Sequence, residues 1–217
     1  MLPILYEDED ILAIDKPSGI SSIPERNRTI DSIVTLLEKQ TGRKIFVVHR
    51  LDKEVDGAML FAKTAAAHKF LNGEFLNRIV RKTYLALVHG AMTEGRGSIE
   101  KAIRQFGSGR MGVDEEKGKP SKTDYLVLKR EGPYTLVNAF PVTGRRHQIR
   151  VHLYHSGHPI VGDRMYGDPA VAKRFPRLML HAQSIAFKKT DGAELVVASR
   201  ATGEFEKTVE GLLSAPL

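Results

Sequence analysis

The chain has 217 residues, enough for one large domain or two small ones, and its 41% apolar and 27% charged content is ordinary for a globular protein. The net charge of +7 and the pI of about 9.6 favour a polyanionic partner such as nucleic acid over a membrane surface. The absence of cysteine excludes disulfides and thiolate metal sites. The acidic start is unlike a signal peptide and no apolar run approaches the length of a membrane span, so we expect a cytoplasmic protein with no membrane partner.

The first predicted elements are a strand and a helix. Ile11–Asp15 is a short apolar run that indicates a strand, and Lys16–Gly19 closes it with a turn because proline and glycine interrupt regular structure. Apolar residues at helical spacing predict a short amphipathic helix over residues 31–40, with Thr29 or Asp31 as its N-cap. We assign the helix to packing, and the strand is most simply an edge strand.

A polar loop, His49–Gly57, then separates two apolar runs, which is the pattern of strand, loop and strand. The loop would place Arg50 and Asp52 at the mouth of a buried sheet. A carboxylate beside a cation can stay ionised there, as a nucleophile or general base requires. By spacing alone, such a pair is more often a loop salt bridge or a turn aspartate.

A second helix and a strand follow. Residues 64–77 carry a helical apolar stripe, with Thr64 as a plausible N-cap, and we assign the stripe to the core. The run that begins at Tyr84 then predicts a strand. A tyrosine in a strand is usually core or half-exposed surface, although an aromatic face is also a platform for a nucleic-acid base.

The segment 94–122 is rich in glycine and in charged residues, and two interpretations are open. It is either a solvent-exposed pair of hairpins or a mobile basic arm that grips phosphates. A hairpin with strands near 123–129 and 134–142 follows, and the last elements are strands over 184–187 and 194–198 and a helix over 204–213.

The stretch Thr143–Gly157 predicts the end of a strand and then a helix. On that helix, Arg145, Ile149 and Leu153 would share one face. Four histidines invite a rival interpretation, a metal-dependent hydrolase that elemental analysis would reveal. Their spacings match no common zinc signature and no clear acidic partner accompanies them, which argues against a metal site. These histidines are His147, His152, His155 and His158.

Two long motifs resemble one known family. His49–Gly57 is similar to the signature of the RluA-type pseudouridine synthases, usually His-Arg-Leu-Asp-x-x-Thr-Ser-Gly, except that Val55 and Asp56 replace Thr and Ser. Residues 144–152 resemble the family's Gly-Arg-x-His-Gln-Ile-Arg-x-His motif in full, and the Lys-x-Tyr that ends at Tyr84 resembles its second motif. The resemblance spans nearly the whole chain.

The resemblance implies an architecture. We expect residues 1–217 to form one pseudouridine synthase catalytic domain with an α+β fold, in which a mixed, mostly antiparallel sheet carries flanking helices and a central catalytic cleft. Many relatives have a small RNA-binding domain in front, for which this chain has no room. RNA recognition would then fall to the catalytic domain, which we expect to act as a monomer on ribosomal or transfer RNA.

The resemblance also implies roles for named residues. Asp52 would be the catalytic carboxylate, and Arg145 would pair with it. Tyr84 and Ile149 would enclose the uracil, and Arg50 would reach into the RNA stack near the vacated position. The remaining motif residues implied to bind substrate are His49, His147 and Gln148.

The reaction that the resemblance implies detaches uracil from the ribose, rotates it and rejoins it through carbon 5. This isomerisation requires no redox cofactor and no metal. An RNA-binding protein of the same fold without activity is the alternative, and its support is the pair of departures at Val55 and Asp56.

Overall fold

The computed structural model describes residues 1–24 and 31–214. The strands of this part of the chain are β1 (Ile4–Glu7), β2 (Ile11–Lys16), β3 (Phe46–Val47), β4 (Asp56–Ala62), β5 (Arg81–His89), β6 (Arg96–Glu100), β7 (Ile103–Gln105), β8 (Met111–Val113), β9 (Lys122–Glu131), β10 (Tyr134–Pro141), β11 (Leu180–Lys188) and β12 (Glu194–Ala198). The helices are α1 (Ile33–Thr41), α2 (Ala65–Leu76), α3 (Gln148–His155), α4 (Pro169–Ala172) and α5 (Glu204–Leu213).

The chain divides into two compact units, and the first comprises Met1–Lys82 with Ala182–Arg200. In this unit β2 lies between β1 and β4 and pairs antiparallel with both. The short β3 pairs with β4, and β12 pairs with β11. The helix α2 lies against β4, where Ala67 and Leu71 complete a core with Ile11, Leu60 and Ile185.

The first two helices begin at hydroxyl-bearing N-caps. The predicted cap Asp31 is wrong, because Ser32 caps α1: its hydroxyl accepts a hydrogen bond from the Thr35 N–H, and the Thr35 side chain accepts one from the Ser32 N–H. The other predicted cap, Thr29, lies outside the described residues. The prediction for α2 is confirmed, since the Thr64 hydroxyl accepts the Ala67 N–H.

The second unit comprises Thr83–His181 with Ala201–Leu217. Its sheet has the order β5-β10-β9-β6, and each of these neighbours pairs antiparallel. The predicted closing helix is confirmed as α5, which packs on β9 and β10 and buries Phe205, Val209 and Leu213.

The segment 94–122 is partly a hairpin. Its first strand, β6, joins the main sheet through β9, whereas β7 and β8 form a separate two-stranded sheet. That hairpin packs on α3 through Ile103, Val151 and Tyr166. One hairpin is therefore found where a pair was expected, and it is partly buried against α3 and not wholly exposed to solvent.

The prediction of an α+β fold with a mixed, mostly antiparallel sheet and flanking helices is confirmed. The short helix α4 was missed, although the Asp168-Pro169 pair is a recognised helix start: the Asp168 carboxylate accepts hydrogen bonds from the first turn. Within the described ranges, none of the helices is both long and apolar enough to traverse a bilayer.

Gly57, at the end of the polar loop, should tolerate no side chain. Its φ is 110°, and a Cβ there would overlap the backbone carbonyl of Ala182. We predict that Gly57→Ala lowers the free energy of unfolding by more than about 2 kcal/mol in urea titrations. Gly19 is the matched control: its φ is 87° but nothing lies within 4 Å of the added carbon, so Gly19→Ala should cost only about 1 kcal/mol. Equal losses at the two positions would contradict the steric account.

Candidate active site

The loop His49–Gly57 connects β3 to β4 in the first unit, as the sequence predicts. Asp52 is half-buried near its middle, and its carbonyl accepts the Val55 N–H at 3.1 Å, which closes a turn. Leu51, next to it, is buried. The Leu51 N–H donates to the Ser22 hydroxyl at 3.1 Å, and that hydroxyl donates to the Leu51 carbonyl at 2.7 Å. The residue before Asp52 is thus fixed from both sides of its backbone.

A buried lysine holds the other side of the loop. Lys16, at the end of β2, is 0% exposed, and its ammonium donates to the carbonyls of Val55 at 2.7 Å, Pro17 at 2.9 Å and Lys53 at 3.2 Å. The Gly19 N–H adds a hydrogen bond to the Lys53 carbonyl. The three protons of the Lys16 ammonium thus find three carbonyl acceptors in the interior, and the backbone after Asp52 has little freedom to move.

The predicted turn Lys16–Gly19 is therefore a support for the polar loop. The Ser18 hydroxyl also donates to the Glu54 carbonyl at 2.7 Å. Sequence reasoning assigned this turn no such role. A lysine that ends an apolar run usually lies at the surface, so no local signal marks Lys16 as buried.

The departures from the family signature leave this support intact. Val55 is buried at 2% exposure, so an apolar side chain suits its surroundings. Its backbone carbonyl, which any residue would supply, is the acceptor for Lys16. Asp56 is half-buried at the first position of β4.

His49 is a neutral histidine built into the sheet. Its Nε2 accepts the Leu60 N–H at 3.0 Å, continuing the ladder that β3 begins, so the ring proton lies on Nδ1. The ring stacks on Phe75 with centroids 5.1 Å apart. Burial, and then the charge of Lys82, lower the pKa of His49 to about 3. Arg50, the next residue, is exposed to solvent.

The second long motif lies in the second unit, and its helix begins later than predicted. The helix α3 starts at Gln148, so Arg145 precedes it, and the expectation that Arg145 shares a helical face with Ile149 and Leu153 is wrong. His147 has a φ of 55°, a left-handed conformation that separates the Arg145 turn from the helix.

Gln148 organises this turn through its side-chain amide. Its Oε1 accepts the Thr143 hydroxyl at 2.6 Å and the Arg145 N–H at 3.0 Å. Its Nε2 donates to the Lys122 carbonyl at 2.9 Å and to the Thr123 hydroxyl at 3.0 Å. Since Gln148 is buried at 4% exposure, four satisfied hydrogen bonds fix the backbone that carries Arg145.

The side chains expected to contact substrate in this unit differ in exposure. The Arg145 guanidinium is half-buried and makes long contacts, at 3.4 and 3.5 Å, to the Pro120 carbonyl. Ile149 is buried at 6% exposure. Tyr84 is half-buried on β5 opposite Ala139. His147 donates to or accepts from the Tyr166 hydroxyl at 2.8 Å.

Arg150 and Asp163 form a buried ion pair that supports the same helix. Both are below 4% exposed, and the guanidinium donates to both carboxylate oxygens at 2.8 Å. Burial alone would raise the pKa of Asp163, but hydrogen bonds from Arg150 and its charge lower it overall. Sequence reasoning missed this pair, because its members lie thirteen positions apart in the chain and no local pattern links them.

The four histidines of the rival metal interpretation have other surroundings. His152 is buried and bonded to the hydroxyls of Ser121 at 3.0 Å and Thr123 at 2.9 Å. His155 is exposed, and His158 lies 3.1 Å from the His89 carbonyl oxygen. Over residues 1–24 and 31–214, no group of three potential ligands is placed to hold a metal ion.

Acidic neighbours offset much of the basic character of segment 94–122. Salt bridges join Lys101 to Glu115 and Arg104 to Asp114, and a third joins Lys122 to Glu100. These three cations do not stand as unpaired charges along a flexible arm. The proposed grip on phosphates stays a prediction.

The comparisons with known proteins define the class. Residues 10–155 match the model of the family described as RNA pseudouridylate synthase. The chain is 39% identical to the dual-specificity RNA pseudouridine synthase RluA of Vibrio cholerae over 86% of this chain and 77% of that protein. It is 36% identical to the ribosomal large subunit pseudouridine synthase C of Haemophilus ducreyi over 98% of this chain and 69% of that protein.

A solved structure agrees with these sequences. Human RNA pseudouridylate synthase domain containing 1 matches with a TM-score of 0.79 and 29% identity, covering 100% of this chain and 96% of that one. The chain belongs to the RNA pseudouridylate synthase family. It is an isomerase, an RNA pseudouridine synthase, and the predicted family and activity are confirmed.

The neutrality of His49 should appear in the pH dependence of folding. In the unfolded chain, the pKa of His49 has its ordinary value of about 6.5. Between pH 6.5 and pH 3 the unfolded state therefore binds a proton that the folded state does not, and the free energy of unfolding falls as the pH falls. We predict that the wild-type protein loses about 2 kcal/mol more between pH 7 and pH 5 than His49→Gln, whose side-chain oxygen can still accept the Leu60 N–H. Urea titrations at both pH values measure this.

The control for this prediction is His155→Gln, which removes an exposed histidine. That variant should keep the wild-type loss of stability between pH 7 and pH 5. If His49→Gln shows the same loss as well, His49 is not the group that destabilises the protein in acid.

Proposed function

We propose that this isomerase acts on uridines of ribosomal or transfer RNA, with Asp52 as its catalytic carboxylate. The names of two relatives support this proposal, since one is a ribosomal large subunit enzyme and the other is an RNA enzyme of dual specificity. The observation that carries the role of Asp52 is its place in a loop whose backbone is hydrogen-bonded on both sides, by Ser22 and by Lys16. A carboxylate on a fixed backbone is preorganised for attack or proton transfer.

The proposed reaction breaks the bond between N1 of uracil and C1′ of ribose and forms a bond between C5 and C1′. The C5 proton is lost and N1 gains a proton, so the product is an isomer of the substrate. The Asp52 carboxylate can assist in two ways: it adds to the sugar or base, or it removes a proton from the ribose. Both ways require it in its ionised form.

The other site residues have roles in this proposal that the family resemblance supports. Arg145 pairs with Asp52, and Tyr84 and Ile149 enclose the uracil. Arg50 is exposed, as a residue that enters the RNA stack must be. His49, His147 and Gln148 complete the proposed substrate-binding set. Their ring nitrogens and side-chain amide also make the hydrogen bonds that hold the two motifs in shape.

Access to the base sets the energetic requirement for binding. A uridine inside a helix must leave the stack before a side chain can reach it, at a cost of a few kcal/mol. Phosphate contacts by a protein with a net charge of +7 release counterions and offset that cost. We therefore propose loops or bulges of the RNA as targets. We also propose that residues 1–217 act as one catalytic domain, and that the protein is a monomer in the cytoplasm.

The activity of the relatives argues against the alternative of an inactive RNA-binding protein. The two departures that supported it, Val55 and Asp56, leave the backbone hydrogen bonds of the loop in place.

We predict that Asp52→Asn forms pseudouridine about 1,000-fold more slowly than wild type, or slower still, because the amide is neither a base nor an effective nucleophile. The substrates are ribosomal RNA and transfer RNA, purified separately from cells that lack the gene. Affinity for RNA should change by less than about threefold, since the shape is kept. Glu54→Gln, an exposed neighbour on the same loop, is the control and should stay active. Turnover by Asp52→Asn at the wild-type rate would refute the assignment.

Arg145→Lys should lower kcat about 100-fold and leave RNA affinity nearly unchanged, because an ammonium does not reproduce the planar fork of a guanidinium. Single-turnover rates at saturating RNA separate this effect from binding. Arg146→Lys makes the same change at the adjacent, exposed residue and should have no effect. Equal behaviour of the two variants would remove Arg145 from the active site.

A further inference from the structure

Lys82 is a cation that the proposed mechanism does not use. It lies on β5 two residues before Tyr84, and side chains at this spacing share one face of a strand. Its neighbour Arg81 points the other way, is exposed, and pairs with Glu194. Lys82 is half-buried instead, on the strand that also carries the proposed base-stacking tyrosine.

The ammonium of Lys82 has no anionic partner among the described residues: no carboxylate lies within ion-pair distance of it, and it makes no hydrogen bond. Burial lowers its pKa to about 8. This is unlike Lys16, which is more deeply buried but donates to three carbonyls. A partly desolvated cation without a partner is unfavourable for the free protein, and a ligand that supplies the anion would remove that cost.

The charge of Lys82 is one cause of the lowered pKa of His49, but the His49 ring does not compensate that charge. Its Nε2 accepts the Leu60 N–H, so the other ring nitrogen carries the proton and offers Lys82 no acceptor. Among the described residues, the ammonium of Lys82 is therefore a charged donor without an anion, which suits an oxyanion ligand.

We infer that Lys82 binds a backbone phosphate of the RNA substrate. This inference rests on the proposed function, because RNA is what brings the phosphate. The phosphate would supply the anionic partner that Lys82 lacks among the described residues. It would also fix the strand of RNA beside the position where Tyr84 is proposed to meet the uracil.

The test compares Lys82→Met with Lys82→Arg. Methionine keeps much of the length of lysine without its charge, whereas arginine keeps the charge. Dissociation constants for ribosomal RNA and transfer RNA from cells lacking the gene are measured over a series of KCl concentrations. Lys82→Met should bind about tenfold more weakly at low salt, and the slope of log K against log salt should shrink by about 0.7 to 0.9, the value of one phosphate contact. Lys82→Arg should keep the wild-type slope.

Two controls make the result decisive. Lys207→Met removes an exposed lysine on α5 and should leave affinity and slope unchanged. Lys82→Met should unfold at a urea concentration no lower than wild type, because the substitution removes a partly buried charge that has no anionic partner among the described residues. Weaker binding by a variant of equal or higher stability is then not a folding defect.

An unchanged salt slope in Lys82→Met overturns the inference. A loss of kcat with that slope unchanged overturns it as well and indicates a contact to the uracil. Either result with an active wild-type enzyme leaves the proposed function standing. If wild type binds RNA but forms no pseudouridine, the proposed function fails, while the salt slope of Lys82→Met still decides whether Lys82 holds a phosphate.

Discussion

The hydrogen bonds from the buried ammonium of Lys16 to three backbone carbonyls are the constraint on which the candidate active site depends. Two of those carbonyls, of Lys53 and Val55, belong to the loop that carries Asp52. An interior ammonium is stable only where its three protons all find acceptors, so the lysine and the loop impose their conformations on each other. The Ser22 hydroxyl does the same for the backbone just before Asp52. Asp52 therefore sits on a rigid support in a half-exposed place, as a group that must meet a large substrate requires.

In the second unit, an amide and an ion pair fix the backbone of the candidate site, as Lys16 and Ser22 do in the first. Gln148 uses both ends of its amide to fix the turn that carries Arg145, and the Arg150–Asp163 pair anchors the helix behind it. In both units these buried side chains make several hydrogen bonds and serve to place a half-exposed side chain. Lys82 is the contrast: it is partly buried yet unpaired within the described residues, so we assign it to the substrate and not to the fold.

Much of this structure could be predicted from sequence, for reasons visible in particular elements. The helices α2 and α5 follow from an apolar stripe and, for α2, from the Thr64 cap. The Asp52 loop follows from its apolar flanks and from the family motif. The start of α3 could not be predicted, because the left-handed His147 and the Gln148 amide hydrogen bonds depend on Thr143 and on a neighbouring strand. The role of Lys16 was missed for the same reason: its acceptors lie up to 39 residues away.

The most direct test of the account is a map of pseudouridine across total RNA from cells with and without the gene. The account predicts that at least one position in ribosomal or transfer RNA loses its pseudouridine on deletion. That position should regain it with the wild-type gene, and not with Asp52→Asn produced at the same level. If no position changes on deletion, or if Asp52→Asn restores the modification, the claim that Asp52 of this chain catalyses the isomerisation is contradicted.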